Sequence, residues 1–270
     1  MLGEESMSLI GDRYSRQMPW DPDRYLRFAD HRARPGLELI TRMPDVAAST
    51  VVDLGCGTGN LTAVLAERWP DAHVVGIDSS SEMIERARTD HPDIEWRVAD
   101  VNTWLPEGPV DVIYSNATLH WMGDHDSLFG RLRSHVAAGG VIAVQMPDNW
   151  NAPTHRVPAI ILDEGYWRPE ALSALMRDRL SDPGDYVRWL QPADVDMWRT
   201  TYYQQLSGED PVWTWVTGSL LLPVLAAFDD IEAERFSAVC RRRYREAYPQ
   251  DAAGMTLMPF SRLFFVGVVP

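Results

Sequence analysis

Residues 51–60 set an acid and three alternating glycines between two apolar runs. Asp53 closes the stretch that begins Val51-Val52, Gly55, Gly57 and Gly59 follow, and Leu61-Thr62-Ala63-Val64-Leu65-Ala66 reads as the start of a helix. A strand, a glycine turn and a helix N-terminus together let backbone lie against a nucleotide-like ligand. A dinucleotide loop wants G-x-G-x-x-G, with its last glycine packing helix on strand. Here the glycines sit at 55, 57 and 59 and position 60 is Asn60. The carboxylate of Asp53 would repel a pyrophosphate and suits a cationic ligand end, such as an amino-acid ammonium.

The elements that must position this turn alternate. Strands are expected at 51–54, 73–77, 94–98, 110–114, 141–146, 195–206 and 263–269. Helices are expected at 60–69, 80–89 and 125–137, with one opening at Trp20 and a second running through Leu37, Leu39 and Ile40. Strands alternating with helices imply a doubly wound, Rossmann-like α/β sheet, mostly parallel and seven-stranded, with right-handed crossovers. Ligands of such sheets lie at the carboxyl ends of the strands. The second strand ends in Asp78, spaced from the glycines as a ribose-binding acid should be; its other reading is a helix N-cap, a role open to Ser79 and Ser80 as well. Met83, one turn on, is placed to lie against an adenine or to fill the core. Asp100 and Val101 close the third strand and can meet an adenine amino group and ring, or Asp100 can simply form the turn. The fourth strand ends in Ser115-Asn116-Ala117-Thr118-Leu119-His120-Trp121.

Bulk properties narrow the partners. A chain of 270 residues holds one large domain, or a core and a cap. The net charge of -14 disfavours nucleic acid, whose phosphates need a positive face. The 25 basic residues are all Arg, so an anionic substrate must be met by Arg, His, hydroxyls or backbone N–H. No apolar run reaches the roughly 18–20 residues of a membrane span. Met1 to Met18 lacks a signal-peptide pattern, and Cys56 and Cys240 make no disulfide framework, which together suggest a cytoplasmic protein. His73, His91 and His125 show no metal-ligand spacing, so no metal is expected. The chain divides into a leader at 1–18, N-terminal helices and the ligand-binding core at 19–147, a helical cap at 148–194, and the last strands at 195–270 with a helical insertion at 207–255. A monomer is the default.

Longer segments carry a resemblance. Asp53-Leu54-Gly55-Cys56-Gly57-Thr58-Gly59, Gly76-Ile77-Asp78-Ser79-Ser80 and the 115–121 segment are similar to those of class I S-adenosylmethionine (SAM) methyltransferases. Trp20-Asp21-Pro22-Asp23-Arg24-Tyr25-Leu26-Arg27-Phe28 with Arg32-Ala33-Arg34-Pro35 narrows the match. So do Gln145-Met146-Pro147-Asp148-Asn149-Trp150 with Pro153-Thr154-His155, Trp198-Arg199-Thr200-Thr201-Tyr202-Tyr203, Trp215-Val216-Thr217-Gly218-Ser219 and Pro259-Phe260-Ser261-Arg262-Leu263-Phe264. Together they resemble the trans-aconitate 2-methyltransferase family from about residue 18 onward. The resemblance implies methyl transfer from SAM to a carboxylate, leaving S-adenosylhomocysteine (SAH) and a monomethyl ester. It implies a cofactor site at Asp53, Gly55, Gly57, Asn60, Asp78, Ser79, Met83, Asp100, Val101 and Asn116. It puts Tyr25, His120 and Trp121 at the reacting centre, in a segment that faces the transferred methyl.

The acceptor carboxylate is already ionised at neutral pH. Catalysis then rests on alignment, water exclusion and anchoring of the remaining carboxylates. Arg32, Arg34, Arg199 and Arg262 are the anchoring candidates, in bidentate pairs with carboxylates or in structural salt bridges. His155, Tyr202 and Tyr203 are hydrogen-bonding candidates. Trp121 and Trp150 can wall the site by cation–π attraction or pack in the core. Residues 1–17 are extra to the family pattern and 156–194 departs from it, with Tyr186-Val187-Arg188-Trp189-Leu190 where a tyrosine-rich helix is expected. As cap sequence, that stretch bears on substrate choice. The competing readings are a SAM methyltransferase of a secondary metabolite, a SAM-fold protein with non-methylating chemistry, and an NAD dehydrogenase, the last disfavoured by Asp53 and Asn60.

Overall fold

The computed structural model describes residues 33–165, 167–175, 179–218 and 220–270. Seven strands, β1 (Thr50–Leu54), β2 (His73–Asp78), β3 (Glu95–Val98), β4 (Val110–Asn116), β5 (Val136–Pro147), β6 (Asp194–Ser207) and β7 (Met255–Val268), form one sheet in the order β3-β2-β1-β4-β5-β7-β6. β7 runs against both its neighbours, and the others are parallel to one another. The strand order reverses beside β1, where the crossovers change sides and leave the crevice that such sheets use for ligands.

Helices cover both faces, so the central strands are nearly continuous runs of buried apolar residues. On one face α1 (Arg34–Arg42) and α2 (Asn60–Arg68) pack Leu37, Leu39, Ile40 and Leu65 on Val51, Val112, Tyr114, Val141 and Phe264. On the other, α4 (His125–Ser134) packs Leu128, Phe129 and Leu132 on Ile113, Ile142, Val144 and Phe265. α3 (Ser81–Asp90) adds Ile84 and Ala87 against Trp96. Among the described residues, no helix is long and apolar enough to cross a membrane.

β6 and β7 outrun the rest of the sheet. Their pairing runs from Asp194↔Val268 to Ser207↔Met255, whereas β5 accompanies β7 only from Val141↔Val268 to Pro147↔Arg262. The surplus is a two-stranded arm beyond the ligand-side edge. It supports a second core formed by α5 (Pro153–Glu164), α6 (Pro169–Leu175), α8 (Pro211–Thr217), α9 (Leu222–Ala226) and α10 (Asp230–Ala247), with Val157, Ile161, Leu175, Trp213, Phe236, Tyr244 and Met258 inside. Two tyrosines of its C-terminal part hold α5 by its backbone. The Tyr244 hydroxyl donates to the Thr154 carbonyl at 2.9 Å, and the Tyr248 hydroxyl accepts the Thr154 N–H at 3.3 Å.

This packing corrects several expectations. The stretch 148–194 is not one cap. α5 and α6 join the second core, but α7 (Pro183–Trp189) lies on the main sheet. Tyr186 is fully buried there, ring against ring with Phe129, Phe265 and Trp189. The divergent segment around Tyr186 is therefore scaffold, not substrate-facing cap. The helix expected to reach residue 137 stops at Ser134, because β5 starts at Val136 and bends at Gly139, which has φ +77°. The last strand starts at Met255 rather than 263, its outer half having only one neighbour to bury against. The helical stretch opening at Trp20 lies outside the described residues.

Tyr186→Ala should cost about 3–5 kcal/mol of stability, the range for emptying a large aromatic site in a core. Urea unfolding checks this; a loss below 1 kcal/mol would show that α7 is not part of the sheet's core.

Candidate functional site

Four strand ends build one edge. The Gly55 and Cys56 N–H groups donate to the Ile77 carbonyl at 2.7 and 3.0 Å, folding the glycine turn over β2. Gly55, Gly57 and Gly59 all have positive φ, which side chains resist. Their environments differ. A Cβ on Gly55 would strike Thr118 and one on Gly59 would strike the Trp96 ring, whereas one on Gly57 would meet nothing within 4 Å. The outer two glycines serve packing, and Gly57 leaves backbone open to a ligand.

Asp78 fixes that open position. Its Oδ2 accepts the Gly57 N–H and its Oδ1 accepts the Ser80 N–H, each at 2.9 Å. The α3 N-cap is Ser80, whose hydroxyl accepts the Met83 N–H, so Asp78 does not spend its carboxylate on capping. Ser79 and Asn60 are exposed, and Met83 is 40 % exposed, which removes its core-filling reading. Asp100 is an exposed turn former. Its Oδ1 accepts from the Asn102 backbone and side-chain amides at 2.9 and 3.0 Å. Val101 is buried beside it, and Arg131 of α4 donates to the carbonyls of Val101 and Trp104, both at 3.0 Å, holding the loop in place.

Asp53 is 2 % exposed and accepts a hydrogen bond from Thr62 Oγ1 at 2.7 Å. Burial pushes its pKa up to about 7, against the pull of Thr62, and the nearby Asp78 charge adds to the rise. Beyond it, Asn116 presents an Oδ1 that is buried and has no partner among the described residues. An open glycine backbone, an uncompensated buried acid, an orphaned amide oxygen and an exposed thioether chain suit a ligand with an ammonium, hydroxyls and an aromatic base.

The chain turns sharply after β4. Ala117 holds φ +55°, and the Thr118 hydroxyl donates to the Gly55 carbonyl at 3.3 Å. The 3₁₀ turn Leu119–Trp121 follows. His125 steadies it in a way the sequence did not disclose. Its Nε2 donates to the Leu119 carbonyl at 3.0 Å, so in the neutral ring Nδ1 accepts from the Tyr186 hydroxyl at 2.8 Å. That hydroxyl in turn accepts the Ser181 N–H at 3.2 Å. The turn delivers His120 and Trp121 to a cleft of about 110 Å³, whose other walls include Trp150, His155, Trp215 and Phe260. Trp121 is 49 % exposed, so it is not core filler. The Trp150 and His155 rings lie 5.2 Å apart.

The cationic candidates separate. Arg34 donates to Glu38 Oε1 at 2.7 Å and lies over the Tyr202 ring, while the Tyr202 hydroxyl donates to Glu38 Oε2. Arg199 donates to Asp148 at 2.7 Å and is exposed. Tyr202 is buried and Tyr203 is 63 % exposed, because neighbours on a strand face opposite ways; the pair does not act as one patch. Arg262 differs from Arg34 and Arg199. Its Nη1 donates to Gln145 Oε1 at 3.0 Å, and its guanidinium lies 4.7 Å from the centre of the Phe260 ring, which lines the cleft. Its Nε is buried without a partner, and no carboxylate pairs with it among the described residues. Burial pushes its pKa down to about 10. Tyr25 and Arg32 lie outside the described residues. Gln145 and Asn149 were not among the sequence candidates, although their run was read for its resemblance. Both are buried with an amide nitrogen that has no partner among the described residues, and the signal that marks them is a polar residue within or just past the apolar run of β5.

A family model described as a methyltransferase domain matches residues 51–140. Solved structures share the architecture. A putative methyltransferase of Bacillus halodurans covers 86% of this chain and 97% of its own, with TM-score 0.56 and 12% identity. An S-adenosylmethionine dependent methyltransferase of Mesorhizobium loti covers 90% and 100%, with TM-score 0.50 and 20% identity. Sheet order, glycine turn and the acids closing β1 and β2 define a class I SAM-dependent methyltransferase. Curated relatives go further. The trans-aconitate 2-methyltransferase of Azoarcus sp. (strain BH72) is 41% identical over 251 residues, spanning 92% of this chain and 98% of the relative. That of Rhodococcus jostii (strain RHA1) is 42% identical over 254 residues, spanning 93% and 99%. The chain belongs to the trans-aconitate 2-methyltransferase family.

The raised pKa of Asp53 has a stability consequence. The folded protein without ligand binds this proton more tightly than the unfolded chain does, so stability falls as pH rises from about 4 to about 7. At 1.36 kcal/mol per pKa unit the loss is on the order of 4 kcal/mol. Asp53→Asn removes that fall. Denaturation of both proteins across this range should show wild type losing stability relative to the variant as pH rises; parallel curves would show that Asp53 ionises normally.

Proposed function

We propose that this chain transfers a methyl group from SAM to a carboxylate of trans-aconitate or a close polycarboxylate, giving a monomethyl ester. The observation that carries the acceptor class is Arg262, a largely buried guanidinium beside the cleft with no carboxylate partner among the described residues. Leaving such a charge unpaired is costly, and an anionic substrate removes that cost. The names of the relatives agree with this reading.

Bound SAM supplies an electrophilic methyl that a carboxylate oxygen attacks without prior deprotonation. The chain's residues bind and align. Asp78 retains lone pairs beyond those used by Gly57 and Ser80 and would accept from the ribose hydroxyls. Ser79 lies beside it; Met83, Asp100 and Val101 would hold the adenine. Asp53, with Gly55, Gly57, Asn60 and Asn116, would hold the amino-acid end, its carboxylate offsetting the ammonium. His120 and Trp121 border the reacting centre with Tyr25. Trp150 and Trp215 line the cleft that excludes water, and His155 offers a hydrogen bond at its wall. Arg262 anchors a carboxylate that does not react. The reaction neutralises charge, so strong stabilisation of the reacting carboxylate would retard it. Arg34 and Tyr202 act through Glu38 in holding α1 to β6, and Arg199 and Tyr203 remain candidates only for an outer rim. Arg32 belongs to the same proposed anion set.

Mass spectrometry of reactions with SAM and trans-aconitate, cis-aconitate, citrate, isocitrate or itaconate tests the substrate. A methyl added to trans-aconitate faster than to the others is expected. Arg262→Met should raise the KM for trans-aconitate about 10- to 100-fold, equivalent to about 1.4–2.8 kcal/mol, while calorimetry finds SAH binding unchanged. No methylation of any panel member by a protein that still binds SAH would defeat the acceptor assignment.

A further inference from the structure

Gln145 and Asn149 are buried amides whose orientation is dictated by their neighbours. Arginine only donates, so the bond from Arg262 Nη1 turns Gln145 Oε1 toward the guanidinium and its NH₂ away. The Ser261 N–H donates to Asn149 Oδ1 at 2.7 Å, which likewise turns that NH₂ away. Gln145 is fully buried and Asn149 is 4 % exposed, yet Gln145 Nε2 and Asn149 Nδ2 meet no acceptor among the described residues, and neither does Arg262 Nε. Buried donors without partners are rare in native proteins. These three belong to neighbouring positions on the β5–β7 seam, tied by the Gln145–Arg262 bond, the Pro147↔Arg262 pair and the Asn149–Ser261 bond. Asn149 is itself a wall of the aromatic cleft.

Three donors with no acid among them describe a receptor for an anion with several oxygens. One cation and two neutral amides suit a reaction in which charge is neutralised. They hold carboxylates without a dense positive field over the one that must attack. We propose that Gln145 and Asn149 are specificity-determining residues that, with Arg262, donate hydrogen bonds to the unreacting carboxylates of the acceptor. The site thereby selects polycarboxylates, since an acceptor lacking those groups leaves buried donors unpaired. This inference rests on the polycarboxylate reading above.

The test is calorimetric binding of trans-aconitate to the SAH-saturated protein, with steady-state kinetics alongside. Asn149→Asp keeps the acceptor for the Ser261 N–H and replaces the donor with a carboxylate oxygen, whose charge also opposes an anion. Gln145→Met removes the second donor at similar volume, together with the Oε1 that accepts from Arg262, and it is the second variant if Asn149→Asp does not fold. The expected result is a Kd and KM for trans-aconitate at least 10-fold higher in each folded variant, with kcat within about two-fold and SAH affinity unchanged. Unchanged trans-aconitate affinity in the folded variants, or equal loss of SAH and trans-aconitate binding, would overturn the assignment. Wild-type protein that binds SAH but neither binds nor methylates any polycarboxylate would overturn the acceptor class and this assignment together.

Discussion

Backbone pairing on both sides of β7 is the constraint from which the rest follows. Hydrogen bonds to β5 seat its inner half in the sheet, and hydrogen bonds to β6 carry its outer half past the edge into the cap. Arg262 stands at the transition, opposite Pro147 at the end of β5. The residue at that point lies where the main sheet gives way to the arm that carries the cap, beside Phe260 of the cleft wall. Its neighbours Gln145 and Asn149 inherit the same position, because Asp148 and Asn149 continue the β5 contact with Ser261 beyond the strand.

The cofactor edge is held by a different device. Asp78 couples the glycine turn to the start of α3 through two N–H groups, and Thr118 couples it to the turn after β4. These contacts use backbone groups that have few alternative partners, so the edge is preorganised before any ligand arrives. The burial of Asp53 belongs to the same arrangement. An acid kept from water at the floor of the site is poorly solvated alone and well matched to a cation.

Legibility in the sequence follows the range of the interactions. The five parallel strands of the core and the helices between them are local patterns of apolar runs and glycine breaks, and the first four strands read to within about two residues, whereas the helix expected at 125–137 ran three residues too long and the fifth strand began five residues earlier than expected. The placement of Asp53 and Asp78 at strand ends and of Met83 in a first helical turn was legible for the same reason. Three features were not. The fate of Tyr186 depends on Phe129 and Phe265, far away in sequence, so its helix looked like cap. The outer half of β7 pairs with a strand some fifty residues earlier, and no local signal marks it. The difference between Arg262 and Arg199 lies in their partners, Gln145 and Asp148, which only the assembled sheet reveals.

The second core is assembled from chain on both sides of β6: α5 and α6 arrive before that strand, α8 to α10 after it. Thr154 on the first segment is gripped by Tyr244 and Tyr248 on the second. The roof of the cleft is thus not a detachable module. Exchanging it between relatives requires two cassettes moved together, each with its half of the tyrosine–threonine grip, while β6 stays behind as the hinge post between them. Drift in one cassette is felt by the other, so acceptor choice in this architecture evolves by paired steps rather than by the replacement of a single loop.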